Sequence, residues 1–165
     1  MKVEEIMTKQ VSTCMPSDTL NEAARIMWER DCGIVPIVED GGTRRVVGVV
    51  TDRDACMAAY TQGHPLSEIR VEDVMCKEVT SCRGSADVHD AEQTMREAQV
   101  HRLPVVDDAN HLLGVLSLVD IAREMGRELE PRHQEVTAEE LGETLTAIRR
   151  PREIAASSGR GRKKM

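Results

Sequence analysis

The chain contains two copies of the same sequence unit. Residues 3–40 and 71–108 align without a gap at an offset of 68 residues, and 13 of the 38 aligned positions are identical. A two-residue shortening then brings GVVTDRD (48–54) over GVLSLVD (114–120). A repeat of this length predicts two similarly folded halves that complete one structure together.

Each copy presents the same order of local signals. An apolar stripe at helical spacing occurs twice, at Leu20, Ala23, Ala24 and Met27 and at Val88, Ala91, Met95 and Ala98. Short β-branched runs follow, IVPIV and LPVV, and after a turn come VVGVV and LLGVL, all of strand length. Gly48 and Gly114, inside the second run of each pair, indicate close approach by another group, which the sequence does not identify. The unit is therefore predicted to be strand, helix, strand, strand, helix, an α/β (α+β) arrangement.

The repeat sets the predicted domain organisation. We place the first unit at 1–66, the second at 67–126, a loop with a C-terminal amphipathic helix at 127–150, and a basic flexible tail at 151–165. The last helix is indicated by a capping pattern at Thr137 and Glu140 and by an apolar stripe. From Arg149 to Met165 the chain carries seven cations and one anion, so the acidic excess lies in the repeats.

Composition excludes several classes of function. The net charge is −7, and only Trp28 and Tyr60 are aromatic, so neither a basic duplex-binding face nor a stacking surface for single strands is expected. Five cysteines without a CxxC pair argue against a disulfide framework or a structural zinc site. We find no long apolar segment, no catalytic constellation and no metal-ligating cluster, and we expect a cytoplasmic protein that is neither an enzyme nor membrane-bound.

Two tandem units that end in G-x-x-[ST]-x-x-D resemble the CBS (cystathionine beta-synthase) domain pair, also called a Bateman module. The resemblance covers residues 1 to about 126 and rests on GVVTDRD and GVLSLVD in matching frames. It implies two β-α-β-β-α units packed about a pseudo-twofold axis, with two clefts for adenosine-containing ligands. It also implies a regulatory part whose modules commonly pair into a flat disc, and hence a homodimer.

Carried over by position, the resemblance assigns sugar-binding roles in each cleft. Thr51 and Asp54 would bind ribose or phosphate in the first cleft, and Ser117 and Asp120 in the second. Both pairs also fit a helix-capping box, so a purely structural role stays open. A helix N-terminus favours phosphate, and an ionised Asp accepts hydrogen bonds from ribose hydroxyls, so one pair of residues could do both.

The strand VHRLPVVD also resembles the strand of AMP-activated kinase gamma subunits in which adjacent His and Arg contact phosphate. His101 and Arg102 would take that role in the second cleft, and Arg53 would be the phosphate contact of the first. Val35, Pro36 and Pro104 could pack an adenine ring, although core packing is an equally good interpretation. The ligand is predicted to be AMP, ADP or ATP, while S-adenosylmethionine or NAD(H) remains open.

Two functions are compatible with these features. The first is a nucleotide-responsive regulatory module, acting on a regulated protein that the sequence does not identify. The alternative is a dimerising adaptor whose C-terminal helix and basic tail bind a protein partner or, less favoured, nucleic acid. Deletion of residues 149–165 should abolish adaptor activity and preserve nucleotide binding.

Overall fold

The computed structural model describes residues 1–39, 41–127 and 137–148. The predicted basic tail at 151–165 lies outside these residues, as does most of the loop predicted before the last helix. The helices are α1 (Val3–Ile6), α2 (Leu20–Glu29), α3 (Asp52–Gln62), α4 (Val88–Ala98), α5 (Leu118–Arg127) and α6 (Ala138–Ile148). The strands are β1 (Ile34–Val38), β2 (Val46–Thr51), β3 (Cys82–Arg83), β4 (Arg102–Val106) and β5 (Leu112–Ser117).

The two units have equivalent sheets. β1 pairs antiparallel with β2, with Ile34 opposite Thr51, and β4 pairs antiparallel with β5, with Arg102 opposite Ser117. β3 adds a short parallel partner to β4, whereas in the first unit the same position is reduced to a single bridge between Cys14 and Ile37. The predicted mixed α/β repeat is confirmed, except that its leading strand is short or absent.

The leading segments of the two units are exchanged. Thr8 pairs with Val115 of β5 through two backbone hydrogen bonds of 2.9 and 3.0 Å, and Cys76 pairs with Val49 of β2 through bonds of 2.9 and 3.1 Å. Val3 is accordingly a member of the second apolar core, although it lies in the first sequence copy. The boundaries 1–66 and 67–126 stay a prediction about the sequence repeat, since packing crosses them at both leading segments.

The exchange explains the two strand glycines. A Cβ atom on Gly114 would lie 2.6 Å from the carbonyl oxygen of Thr8, and one on Gly48 would lie 2.7 Å from Met75 Sδ. Both distances are shorter than van der Waals contact, so the crossing segments can lie against the sheets only because these positions have no side chain. The predicted close approach at Gly48 and Gly114 is confirmed.

The two halves also meet along their sheets. Arg45 and His111, which occupy equivalent positions in the two units, form an antiparallel bridge. Val46 N donates to Asn110 O at 3.0 Å, and Leu112 N donates to Arg44 O at 2.9 Å. A small apolar cluster of Val38, Val46, Val106 and Leu112 fills the space beside this joint. The contact of equivalent residues with one another places a local pseudo-twofold axis between them.

The C-terminal helix predicted at 127–150 is present as α6. Its start is capped as the sequence indicates, because Glu140 Oε2 accepts hydrogen bonds from Thr137 N at 2.7 Å and from Thr137 Oγ1 at 2.9 Å. α6 packs on α4, and its Leu141 and Ile148 join the second core. In the part of the chain that the structure describes, no helix has the length and apolar character needed to cross a membrane.

Candidate functional site

The two predicted sugar-binding pairs form matching capping boxes. Asp54 Oδ2 accepts hydrogen bonds from Thr51 N at 2.9 Å and from Thr51 Oγ1 at 2.7 Å, and Asp54 N donates to Thr51 Oγ1 at 3.3 Å. The bonds between Ser117 and Asp120 are the same, at 2.9, 2.6 and 3.2 Å. Each pair therefore begins a helix, α3 or α5, at the end of the strand before it.

Capping uses only one oxygen of each carboxylate. Oδ2 carries all the capping bonds in both units, so Oδ1 is the atom that a ribose hydroxyl could reach. In the second unit Arg123 Nη1 lies 3.5 Å from Asp120 Oδ1, whereas among the described residues no hydrogen bond to Asp54 Oδ1 occurs. The structural and ligand-binding interpretations are thus compatible, and among the described residues the Oδ1 of Asp54 has no hydrogen-bond partner.

Arg102 extends from the second unit onto the first. A Cβ atom on Gly33 would lie 3.2 Å from Arg102 Nη1 and 3.1 Å from Asp52 Oδ2, so the guanidinium and the carboxylate both lie next to the space that a side chain at position 33 would occupy. Asp52 is the first residue of α3 and is followed by Arg53, whose backbone N donates to Asp52 Oδ1 at 2.7 Å. The guanidinium therefore lies near the start of the helix that carries Asp54.

This position corrects the predicted assignment of Arg102 to the second cleft. The backbone of Arg102 pairs with Ser117, but its side chain crosses the joint between the units and reaches the first cleft. The first cleft, defined from here on by Gly33, Thr51, Asp52, Arg53, Asp54 and Arg102, thus has the Arg102 guanidinium near the start of the helix that carries Asp54. The contact of the Arg53 side chain with phosphate stays a prediction. His101 is exposed, and its carbonyl oxygen accepts a hydrogen bond from Leu118 N at 3.0 Å.

The equivalent positions of the second unit have different chemistry. Leu118 and Val119 replace Asp52 and Arg53, His101 replaces Gly33, and Ile34 of the first unit corresponds to Arg102. Leu118 is buried in the second core, while Val119 is exposed. The second cleft retains Ser117 and Asp120, but the Arg102 guanidinium lies near Gly33 of the first unit. That the two clefts bind ligand unequally stays a prediction.

The strand residues proposed for adenine packing differ from one another. Val35 has no exposed surface and is a member of the first core together with Ile37, because alternate residues of a strand face the same side. Of the two interpretations that the sequence leaves open for Val35, the structure supports core packing, and its contact with a ligand stays a prediction. Pro36 and Pro104 are buried on the opposite faces of their strands, outside the two large cores, and their contact with a base stays a prediction.

A cavity of about 390 Å³ lies elsewhere, between α2 and α3 of the first unit. None of the ten residues predicted to bind ligand lines it, and the first cleft touches it only at Asp52. Its walls are apolar, with Met27, Trp28, Ala55 and Leu66 among them. The sequence indicates no site here, because its apolar residues belong to stripes that also serve the core.

The other chemically reactive groups do not form a second site. Burial raises the pKa of the Cys14 thiol to about 12 and that of Cys82 to about 11, so both thiols are protonated at neutral pH. In residues 1–39, 41–127 and 137–148 no three His, Cys, Asp or Glu side chains come together as metal ligands. The first cleft is the place where the described residues bring opposite charges and an open acceptor together.

Sequence reasoning missed two residues of this cleft, Gly33 and Asp52. Gly33 aligns with His101, and Asp52 aligns with Leu118, so neither position repeats and neither carries a motif. The cleft becomes visible only when Arg102 crosses from the other unit. The one sequence signal that could have indicated this cleft is Gly33 itself, because it stands at the position where the second copy has His101.

Comparisons with a family model and with individual relatives point to the same protein family. The CBS domain model matches this chain twice, at residues 3–60 and 71–127. The CBS domain-containing protein YhcV of Bacillus subtilis (strain 168) is 38% identical over 120 residues, which cover 73% of this chain and 82% of that protein.

Two further relatives are informative. Inosine-5'-monophosphate dehydrogenase of Methanocaldococcus jannaschii is 32% identical over 123 residues, which cover 74% of this chain but only 23% of the enzyme. The crystal structure of the CBS domain pair of protein MJ0100, in complex with 5'-methylthioadenosine and S-adenosyl-L-methionine, has a TM-score of 0.69 at 24% identity. That match covers 78% of this chain and 98% of the other, and it shows the shared fold.

Proposed function

Because the chain belongs to the CBS domain family, with one CBS domain at 3–60 and another at 71–127, we propose that it is a non-catalytic regulatory module for an adenosine-containing ligand. AMP, ADP or ATP is the proposed ligand, and the first cleft is its main site. Binding shifts the population of the chain toward the arrangement of the two units that holds the ligand better.

The observation that carries this proposal is the convergence of Arg102 with the start of α3. A guanidinium binds phosphate through two parallel hydrogen bonds, and it lies here beside the helix whose capping carboxylate retains Oδ1. Gly33 provides the space, since any side chain there would meet both Arg102 and Asp52. A sugar on Asp54 and a phosphate on Arg102 would make one ligand contact both units at once.

The relatives support the ligand class and the regulatory role. The MJ0100 pair binds two ligands that contain adenosine, which is the part of the ligand that the Asp and the strands would recognise. The dehydrogenase carries a region similar to this chain as about a quarter of its length, which suits a module attached to a separate catalytic part. S-adenosylmethionine and NAD(H) remain alternative ligands on the same grounds.

The proposed output element is α6, which is linked to the ligand-binding strand. Arg102 begins β4, three residues after Gln99, which ends α4 with a left-handed backbone at φ 54°. Gln99 Nε2 donates to Ala147 O near the C-terminal end of α6 at 3.0 Å. A ligand that reorients Arg102 would therefore act on the segment that also holds α6.

Calorimetric titration of the full chain with adenosine, AMP, ADP, ATP, S-adenosylmethionine and NADH tests the proposal. We expect at least one of these to bind with a stoichiometry of one per chain, and phosphorylated adenosine to bind better than adenosine. The same titration on a chain truncated at residue 148 should give the same affinity. Absence of binding by the whole panel would refute the proposal, and binding lost with residues 149–165 would contradict the assignment of the first cleft as the main site.

Replacement of Asp54 by asparagine is expected to weaken AMP binding by about 1.5 kcal/mol, roughly tenfold, because one ribose acceptor becomes a donor. Asparagine keeps an oxygen for the cap on Thr51, so folding should be preserved, which thermal unfolding checks. Asp120→Asn is the matched control in the other unit and should change AMP affinity little. Equal losses in the two variants would contradict the preference for the first cleft.

A further inference from the structure

We infer that Met7 and Met75 are sites at which hydrogen peroxide modifies this chain, and that the resulting sulfoxides loosen the contact between the two units. Both residues lie in the exchanged leading segments, at equivalent positions of the two sequence copies. A methionine is therefore present at the same point of both crossings. The inference does not depend on the proposed ligand, because it concerns the packing of the leading segments on the sheets.

Each of the two methionine sulfurs lies against the glycine of a strand in the other unit. A Cβ atom on Gly114 of β5 would lie 2.8 Å from Met7 Sδ and 3.2 Å from its Cγ. The same atom on Gly48 of β2 would lie 2.7 Å from Met75 Sδ and 3.1 Å from its Cγ. In both units the thioether therefore occupies the space that a side chain on the strand would take.

The backbone pairs beside these sulfurs join the leading segments to the sheets. The residue after each methionine pairs with the residue after the glycine, so that Thr8 pairs with Val115 and Cys76 pairs with Val49. These two pairs are called the exchange pairings from here on. Their four N–H to carbonyl distances lie between 2.9 and 3.1 Å. The N–H groups of the exchange pairings thus already donate hydrogen bonds across the joint.

Both methionines are accessible from the surface. Met7 packs at the edge of the second core and Met75 at the edge of the first, and each side chain is partly exposed. Met95, in contrast, has no exposed surface within the second core. A peroxide in the solvent therefore reaches Met7 and Met75 in the folded chain, whereas it reaches Met95 only when the core opens.

The proposed modification is a two-electron oxidation of the thioether. A lone pair on Sδ attacks one oxygen of hydrogen peroxide, the sulfur–oxygen bond forms, and the oxygen–oxygen bond breaks. The departing hydroxide takes the proton of the transferred oxygen and becomes water, so the sulfur loses two electrons and the peroxide gains them. The product, methionine sulfoxide, is a polar group where an apolar one was packed, and reductases can reverse its formation.

A sulfoxide is poorly accommodated at either position. On the side of Gly48 or Gly114 the sulfur already fills the available space. The new oxygen is a hydrogen-bond acceptor, and a buried acceptor without a donor is unfavourable. It must either take an N–H group from an exchange pairing or carry the methionine out into water. Both outcomes open the pairing next to the oxidised residue.

An opened exchange pairing also affects the start of the following helix. Val49 lies two residues before Thr51, and Val115 lies two residues before Ser117. Thr51 and Ser117 begin the capping boxes of α3 and α5. Oxidation of the two methionines would therefore loosen the end of the same strand in both units.

Peroxide treatment of the full chain, with mass spectrometry of its peptides and hydrogen exchange by NMR, tests the inference. We expect Met7 and Met75 to be oxidised. The amides of the two exchange pairings should then exchange at least about tenfold faster, because an unsatisfied buried acceptor is relieved when they open. Treatment with methionine sulfoxide reductases should restore slow exchange.

Leucine variants assign the effect to each methionine. Met7→Leu should protect the pairing of Thr8 with Val115 from peroxide, and Met75→Leu should protect the other pairing, since leucine is apolar, similar in size and not oxidised. The double variant should show no peroxide effect at either pairing. Slow exchange before peroxide treatment checks that the variants keep the fold.

Met57→Leu is the matched control, because Met57 is 46% exposed on α3 and lies in neither leading segment. Its oxidation should leave the exchange pairings unchanged, and its replacement should leave the peroxide effect intact. Complete oxidation of Met57 while Met7 and Met75 stay reduced would overturn the inference. So would oxidation of Met7 and Met75 without faster exchange in the natural chain, or a double leucine variant as sensitive to peroxide as the natural chain.

Discussion

Replacing Arg102 by alanine is expected to weaken AMP binding by about 3 kcal/mol, roughly 150-fold, while adenosine binding changes little. Hydrogen bonds to charged groups contribute about 1.5 to 3 kcal/mol each, and a guanidinium makes them in pairs with phosphate. Adenosine has no phosphate to lose, so the two ligands separate the role of Arg102 in binding from any general damage to the cleft. Calorimetry of both ligands on the same preparation measures the difference.

Three further variants test whether Arg102 binds phosphate directly. Arg102→Lys keeps the charge but not the planar pair of donors, so it should recover only part of the affinity. Gly33→Ala inserts a Cβ atom 3.2 Å from Arg102 Nη1, and it should reduce AMP binding without loss of stability, because a flexible side chain can move aside. Ile34→Ala, at the position equivalent to Arg102, is the control. Equal losses of AMP and adenosine in Arg102→Ala would contradict phosphate binding by this residue.

Asp52 is expected to limit how many phosphate groups a ligand in the first cleft can carry. Its Oδ2 and Arg102 Nη1 lie 3.1 and 3.2 Å from one point, the position of a Cβ atom on Gly33, so each additional phosphate near the guanidinium would bring more negative charge toward a carboxylate. This arrangement favours a ligand with few phosphates. We expect Asp52→Asn to increase ATP affinity relative to AMP affinity. Titration of the natural chain and of the variant with both nucleotides measures this change.

Local signals predict those features whose cause is local. The capping boxes at Thr51 and Ser117, the two strands per unit and the helix after Thr137 follow from residues that lie next to one another in sequence. Gly48 and Gly114 predict close approach, because a glycine inside a strand gives up side-chain packing and is favoured where another segment needs the space. The partner in that approach, the exchanged leading segment, cannot be identified from either glycine.

Features that depend on how the units meet are not accessible from the sequence. The sequence assigns Arg102 to the second cleft because its backbone belongs there, but a long side chain near a twofold joint can reach the neighbouring unit. The sequence leaves Val35 open between a ligand contact and core packing, and only the folded structure shows that its face of the strand belongs to the first core.

The buried carboxylate of Glu92 pairs with Arg96, whose side chain is 31% exposed, and the same arginine also contacts α6. Glu92 is 1% exposed and its Oε1 lies 3.1 Å from Arg96 Nη2, while its Oε2 is buried without a hydrogen-bond partner. A buried charge is tolerated only while it is paired, and Arg96 is the described cation that pairs it. The same guanidinium holds Thr144 and the backbone of α6.

Arg96→Ala is therefore expected to lower the free energy of unfolding by about 3 to 5 kcal/mol, because it leaves the Glu92 carboxylate buried and unpaired. Urea denaturation measures the change, and hydrogen exchange should show early loss of protection in residues 138–148. The double variant Glu92→Leu with Arg96→Met removes both charges and should recover most of the stability, since an apolar pair of similar size carries no desolvation cost.

Arg25→Ala on α2 is the internal control for this experiment. Arg25 pairs with Glu22 and Glu29 on the same helix, but all three side chains are well exposed, so the loss should be a small fraction of that in Arg96→Ala. If Arg25→Ala and Arg96→Ala lowered the free energy of unfolding by similar amounts, helix propensity or the loss of a positive charge would explain the effect. A stable Arg96→Ala chain with α6 still protected would mean that Leu141 and Ile148 hold the helix in place without the ion pair.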